Sequence, residues 1–509
     1  MMLNLFSSRP DHPLGDAKEF KRILAELPQD NSFKALEEVY GWFQSLQLAD
    51  DFRVDHFFDV VRQLDEAAQP HIRRQSRDYL HSPRLTKSEE RRYWTMCYNY
   101  WGEVSSLYAR CIERVRLNPK DKGSEALKAS LPLAATRLMA ARAAQLKWVE
   151  YRYGPIGEDL WRGLGQPYLV AEAAGYSQKP VQLYPSQAGL TSVAQQYFQA
   201  LIFYSSSMDS LMPLEIDLAD RLIAYFQPGF VFSNNCLPDS VYWVDAANGL
   251  PPTRLARRPD QRLPSLRFFS PGSAPQALNE LMRNVERGGV PADLNLGGEY
   301  LAKVLLPVLR HLALYWATEP PQREHTRHAV KTRIAVLQGF DDSFTVFAGD
   351  VARLGKEHTA KSWVVENVSL GGFGAGIDDL CGDWLKIGTL LSMQPEGGEN
   401  WVLGVVRRYN KDSDAHARVG IQALSRQAQS VELRPRTSGF SATGAIPGIW
   451  LREGNAPGEA RVVLPNSSFD LRENMEFAHD GRRYLLTPVE LEEVGSHFEI
   501  GRYREHISE

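Results

Sequence analysis

The apolar positions of this chain change rhythm near residue 318. Before it they recur at three and four. Phe20, Ile23, Leu24 and Leu27 fall on one stripe of a helix, as do Leu36, Val39, Tyr40 and Phe43, and then Phe57, Val60, Val61 and Leu64. That spacing predicts amphipathic helices, because a turn of about 3.6 residues returns such positions to one side. Similar patterns run through residues 93–115, 134–149, 193–203, 218–226, 277–287 and 300–317. Pro28, Pro119, Pro155, Pro180 and Pro228 stand between the stretches, where a residue that cannot donate to a continuing helix belongs. No self-similarity at a period of roughly 34 or 40 residues supports a regular helical solenoid.

Residues 229–273 interrupt this rhythm. They are rich in proline and aromatic side chains, with a strand expected at 241–244 and a turn at Asn248-Gly249. Beyond residue 330 the period becomes two. Strands are expected at 332–337, 344–347, 363–368, 384–393, 401–409 and 418–424, with turn clusters such as Asp341-Asp342-Ser343 between them. Short strands at this spacing predict a small antiparallel barrel. A last stretch is also β-rich, with strands expected at 461–464, 483–487 and 498–502. The expected class is multidomain α + β: a flexible N-terminus (1–15), a large mostly α-helical N-terminal domain (16–318), a Pro/Arg linker (319–328), a small antiparallel β-barrel (329–435) and a short β-rich C-terminal unit (441–509). A length of 509 residues suits about three domains.

Charge narrows the partners. Fifty-eight Lys and Arg against 62 Asp and Glu leave a net charge of −4, which argues against nucleic acid or an anionic membrane as the main partner. The most apolar stretch, 301–317, is broken by Lys303, Arg310 and His311, so no membrane insertion is expected. The first ten residues lack the basic and apolar regions of a signal peptide. Cys97, Cys111, Cys236 and Cys381 lie far apart and form no C-x-x-C pair, which suits a reducing compartment; a cytoplasmic protein is expected.

Motifs of catalysis are missing: there is no P-loop, G-x-S-x-G, H-E-x-x-H or kinase signature, and Gly163-Leu164-Gly165 lacks the third glycine of a dinucleotide loop. No catalytic residue and no cofactor is therefore expected, and the chain does not read as an enzyme. His325 and His328 have no Cys or carboxylate at ligand spacing, so no metal is expected. The basic stretch Arg254, Arg257, Arg258, Arg262 and Arg267 reads as a solvated loop.

Two groups of residues suit a guanine-containing anion. Arg323 and Arg327 stand four apart just after Pro320-Pro321, and Asn367-Val368-Ser369-Leu370-Gly371-Gly372 ends the strand expected at 363–368. Guanidinium groups bond phosphate and the O6/N7 edge of guanine in pairs and stack flat on a purine. Asn and Ser supply short donors and acceptors, and glycines let a ligand approach the backbone.

These residues resemble the PilZ domain, the bacterial receptor module for the second messenger cyclic di-GMP. Its R-x-x-x-R is met by Arg323 and Arg327, and its [D/N]-x-S-x-x-G by Asn367, Ser369 and Gly372; 401–408 and 419–422 look like its last strands. The long gap from Arg327 to Asn367 suggests a hairpin inserted around 352–360. The resemblance covers about residues 320–435, and no family signature is recognised in residues 1–318. It implies cyclic di-GMP as ligand, an arm bearing Arg323 and Arg327 that wraps it, and Asn367, Ser369 and Gly372 beneath, with Arg333, Gly371, Arg407 and Arg408 as weaker candidates. It also implies a receptor whose ligand-dependent interdomain arrangement regulates an unidentified protein partner, engaged through the helical domain, in motility, pilus or exopolysaccharide output (biofilm). Two alternatives stand beside it: a PilZ-like scaffold that no longer binds nucleotide, and a nucleotide-gated enzyme with an unrecognised helical catalytic domain.

Overall fold

The computed structural model describes residues 10–82, 85–257, 259, 263–319, 322, 325–350, 360–378, 384–436 and 444–508. They fall into two compact units. One comprises Met1–Arg152, Ile156–Met208 and Pro213–Pro321; the other comprises Tyr153–Pro155, Asp209–Met212 and Gln322–Glu509.

The first unit is built on helices, among them Ala17–Glu26, Ser32–Gln47, Val54–His81, Lys87–Leu117, Leu131–Glu150, Val193–Ser205 and Pro213–Phe226. Their starts are set by side chains that satisfy the free N–H groups of the first turn. Asp16 accepts from Lys18 and Glu19, Asn31 from Lys34, and Thr86 and Glu89 form a reciprocal capping box. The predicted stripes are the buried faces: Phe20, Ile23, Leu36, Val39, Phe43, Phe57, Val61 and Leu64 all lie inside. Residues 10–15, expected within a flexible N-terminus, instead form a packed entry, since Pro13–Gly15 makes a short 3-10 turn that buries Leu14.

The interruption at 229–273 is a four-stranded antiparallel sheet, ordered Val231–Ser233, Leu266–Ser270, Tyr242–Asp245, Thr253–Arg254. Two of its arginines correct the solvated-loop reading, while Arg257 is exposed. Arg267 is buried, with bonds to Tyr168, Glu172 and the carbonyls of Pro264 and Leu266. Arg254 stacks on Tyr242 and caps the carbonyls of Ala317 and Thr318. Arg258 and Arg262 lie outside the described residues.

In the second unit the chain closes two six-stranded barrels. The first is ordered His416–Ser425, Gly372–Asp378, Lys361–Ser369, His328–Gln338, Leu390–Pro395, Val402–Lys411. The second is ordered Ala428–Pro435, Ile446–Leu451, Glu459–Pro465, Phe498–Ser508, Arg482–Val494, Met475–His479. Three expectations change here. The strand expected at 344–347 is part of a helix, Phe340–Phe347, entered through Gly339 at a positive φ of 88°. Gly372–Asp378 is a barrel strand that periodicity did not show. Ala428–Pro435, placed by sequence in the first barrel, pairs with Ile446–Leu451 and opens the second. The hairpin expected around 352–360 lies outside the described residues, apart from Ala360.

The two barrels share a core. Phe340 and Phe347 of the helix pack with Leu390, Leu403, Val405 and Leu424 of the first barrel and Ile449, Leu451, Val463, Phe498 and Ile500 of the second. Alternate residues of the second barrel, such as Trp450, Val462, Leu464, Phe477 and Tyr503, fill its own interior. Both faces of those strands are thus buried, which is why their sequence runs apolar without alternation. Among the described residues no helix is long and apolar enough to cross a membrane.

Candidate functional site

The strands Lys361–Ser369 and Gly372–Asp378 are joined by the turn Leu370-Gly371, whose Leu370 is 69% exposed. Pairing slips by one residue between Val365 and Asn367, which face Ala375 and Gly374. Such a bulge turns two successive side chains to one side of the sheet. Glu366 and Asn367 accordingly both lie over glycines. A Cβ on Gly374 would stand 2.6 Å from the Asn367 amide nitrogen and 2.7 Å from its oxygen, and one on Gly376 would stand 3.1 Å from Glu366 Oε1. Gly372 faces Gln422, and a Cβ there would fall on the Ile421 carbonyl oxygen. Every second residue of the strand is therefore glycine: Gly372, Gly374 and Gly376. On the next strand Gly420 stands opposite Gly374. The result is a strip without side chains of its own, covered in this structure by the Asn367 amide and the Glu366 carboxylate.

Asn367 Oδ1 is buried and has no hydrogen-bond donor. A buried carbonyl oxygen left unpaired costs about 1–3 kcal/mol, a cost that an N–H donor reached by a turn of this side chain would remove. Ser369 pairs with Gly372 across the turn and donates to its carbonyl at 3.3 Å. Gly371 lies under the His325 ring, since a Cβ there would be 3.0 Å from His325 Cδ2. His325, two residues before Arg327, thus touches the turn between the two strands.

The remaining candidates divide. Arg327 is exposed on that segment, and Arg323 lies outside the described residues. Arg333 is not brought to the strip: it pairs with Val364 and bonds Ser362 at the far end of the neighbouring strand. Arg407 and Arg408 occupy a second slip, where Gly420 pairs with Arg408 and Ile421 with Val406. Arg407 donates from Nε to Gln422 at 2.7 Å, and from Nη1 and Nη2 to the two oxygens of Glu493 at 2.5 and 2.6 Å. Arg408 pairs with Asp209. Neither is a bare cation beside the strip.

Sequence reasoning missed Gly374, Gly376, Gly420, Gln422 and Glu493 as parts of this face. The alternation G-F-G-A-G in residues 372–376 was a readable signal, because glycine at every second strand position bares one face of the sheet.

The helical unit holds two polar clusters of another kind. Asp65 is fully buried, accepts from Tyr100 at 2.7 Å and Tyr108 at 2.8 Å, and also bonds Gln69 and Tyr184; burial raises its carboxyl pKa despite nearby Arg137. Asp217 binds Lys147 at 2.9 Å, Arg221 at 2.8 Å and Tyr151 at 3.0 Å. Burial alone would raise Asp217, but the Lys147 and Arg221 cations hold it well below the usual carboxylate range. Their oxygens are already occupied by partners, so both clusters read as core architecture. Among the described residues no group of three His, Cys, Asp or Glu side chains could hold a metal ion.

Comparison with known families finds a match in the part of the chain where the sequence showed no signature. Residues 18–237 match the family described as the cyclic-di-GMP receptor FimW, N-terminal domain. The match spans less than half of the chain and lies N-terminal to the barrels. A comparison with curated proteins matched none.

Proposed function

We propose that the chain is a cyclic di-GMP receptor and not an enzyme. What carries this reading is that two separate stretches point to one ligand. Residues 18–237 are similar to the N-terminal domain of a cyclic di-GMP receptor, and the PilZ-like motif lies beyond them, on a glycine strip edged by an unpartnered amide oxygen. In this reading the strip and Asn367 accept the guanine bases, Asn367 Oδ1 taking a base N–H. Arg323 and Arg327, on the segment that reaches Gly371 through His325, supply charge to the phosphates. Ligand capture then restrains that segment. The helical region would transmit the change to a protein partner, with motility, pilus or exopolysaccharide output as the regulated process.

The test is calorimetric titration of the intact chain with cyclic di-GMP. Binding is expected below tens of micromolar. Arg323→Ala and Arg327→Ala should each weaken it by about 2–4 kcal/mol, because a phosphate or base edge loses its charged partner. A silent wild type sinks the receptor reading. The scaffold alternative has one observation in its favour, the carboxylates already paired with Arg407 and Arg408; it predicts that silence together with a stably captured partner.

A further inference from the structure

We infer that Glu493, a residue of the second barrel, holds the Arg407 guanidinium as a charge-neutral flat plate beside the glycine strip, and that this plate stacks on a base of the bound dinucleotide. The inference rests on the receptor reading above and gives the second barrel a part in it.

The argument starts from donors. A guanidinium carries five N–H groups in one plane. In Arg407 the Nε–H goes to Gln422 and one N–H of each terminal nitrogen goes to Glu493. The two that remain point to opposite sides, so no paired edge is left for a phosphate or for guanine O6/N7. Exchanging Glu493 for a phosphate is unfavourable as well. Glu493 is only 21% exposed, and a carboxylate stranded there without its partner costs more than the new pair returns. Arg407 keeps 40% of its side chain exposed, and the chemistry left to it is that of its π face, which stacks on purines.

Placement agrees. Gln422, which holds the Nε edge, is the register partner of Gly372, so the plate stands beside the strip and across it from Asn367. Its anchor is fixed. Pairing slips between Leu491 and Glu493, which sends Glu492 to Arg461 and Glu493 to Arg407. The anchoring barrel is tied to the first by the shared apolar core and by Ser496, whose N–H and Oγ both donate to the Gly388 carbonyl, at 3.0 and 2.8 Å.

The experiment is titration of the full-length chain with cyclic di-GMP over a series of salt concentrations, for wild type, Arg407→Lys, Glu493→Gln and Arg327→Ala, with a thermal melt of each. Lysine keeps the charge and loses the plane, so Arg407→Lys should bind about tenfold more weakly while its salt dependence stays that of wild type. Glu493→Gln retains Arg407 and both cores, so it tests the idea even if the lysine variant does not fold; its salt dependence should steepen, because the guanidinium is no longer neutralised, and it should bind several-fold more weakly at high salt, where that charge is screened. Arg327→Ala, the charge reference, should flatten the salt dependence. The inference is overturned if Arg407→Lys binds like wild type, if its salt dependence flattens, or if Glu493→Gln tightens binding at high salt, which would make Glu493 a competitor of the ligand. A wild type that gives no heat overturns the receptor reading and takes this inference with it, and that outcome is distinct because no variant is then needed to see it.

Discussion

A methyl group at Gly374 would meet the end of the Asn367 side chain, whereas one at Gly372 would meet backbone, the Ile421 carbonyl. The difference in what is struck decides the outcome. Asn367 can swing aside about its own bonds, so Gly374→Ala should leave the barrel's melting temperature within a few degrees of wild type and cut cyclic di-GMP affinity at least tenfold, read by melt and titration on one sample. Gly372→Ala should instead break the pairing with Gln422 and cost about 3 kcal/mol or more in urea unfolding. In the helical unit, Asp217→Asn removes one of two carboxylates from half-buried Lys147, which keeps Asp220, and should destabilise by about 2–3 kcal/mol in the same measurement. The acid limb follows from the direction of the shift. Asp217 is held below its unfolded pKa, so its contribution is complete above the unfolded value of about 4 and is lost as pH falls toward the folded one. Denaturant midpoints measured from pH 6 to 3 should fall for wild type, and less steeply for Asp217→Asn.

The helix Phe340–Phe347 joins the two barrels. Its aromatic residues sit between the barrels, Ser343 bonds Ser392 at 2.8 Å inside that contact, and Ser430 and Gln429 of the second barrel donate to its last carbonyls. Phe340→Ala should cost about 3–5 kcal/mol and lower the unfolding midpoint of both barrels together, followed by tryptophan fluorescence. The same helix shows where sequence reading stops. The sequence Phe-Thr-Val-Phe is rich in strand formers, and only the groove between two barrels makes it helical, so local propensity loses to tertiary packing. Gly372–Asp378 failed in the opposite sense: its glycines read as loop because a strand with bare positions makes no hydrophobic alternation. The helical stripes and the strands near 332–337, 363–368 and 418–424 were legible because one face of each is buried and the period survives, and the strand near 401–409, buried on both faces over 402–406, was legible as a short apolar run rich in strand formers. Arg323, Arg327, Asn367, Ser369 and Gly372 were legible as a motif. Arg407, Gln422 and Glu493 were not legible as a group, because register slips in two different strands bring them together.

For the whole molecule, the formal charge of −4 sets an expectation about selectivity. A ligand with two phosphates can be drawn to a local arginine pair, but a long polyanion meets the acidic surface as well. A labelled DNA duplex should therefore give no gel shift at micromolar protein and physiological salt. The junction of the barrels sets another. The first barrel ends at Ser425 and the second begins at Ala428, leaving Arg426 and Gln427, whose amides are held by Glu453 and Ser425. Such a joint has no slack. Dyes attached one to each barrel would keep a constant separation whether the messenger is present or absent, so a sensor made from this protein must place one of its reporters upstream of His328.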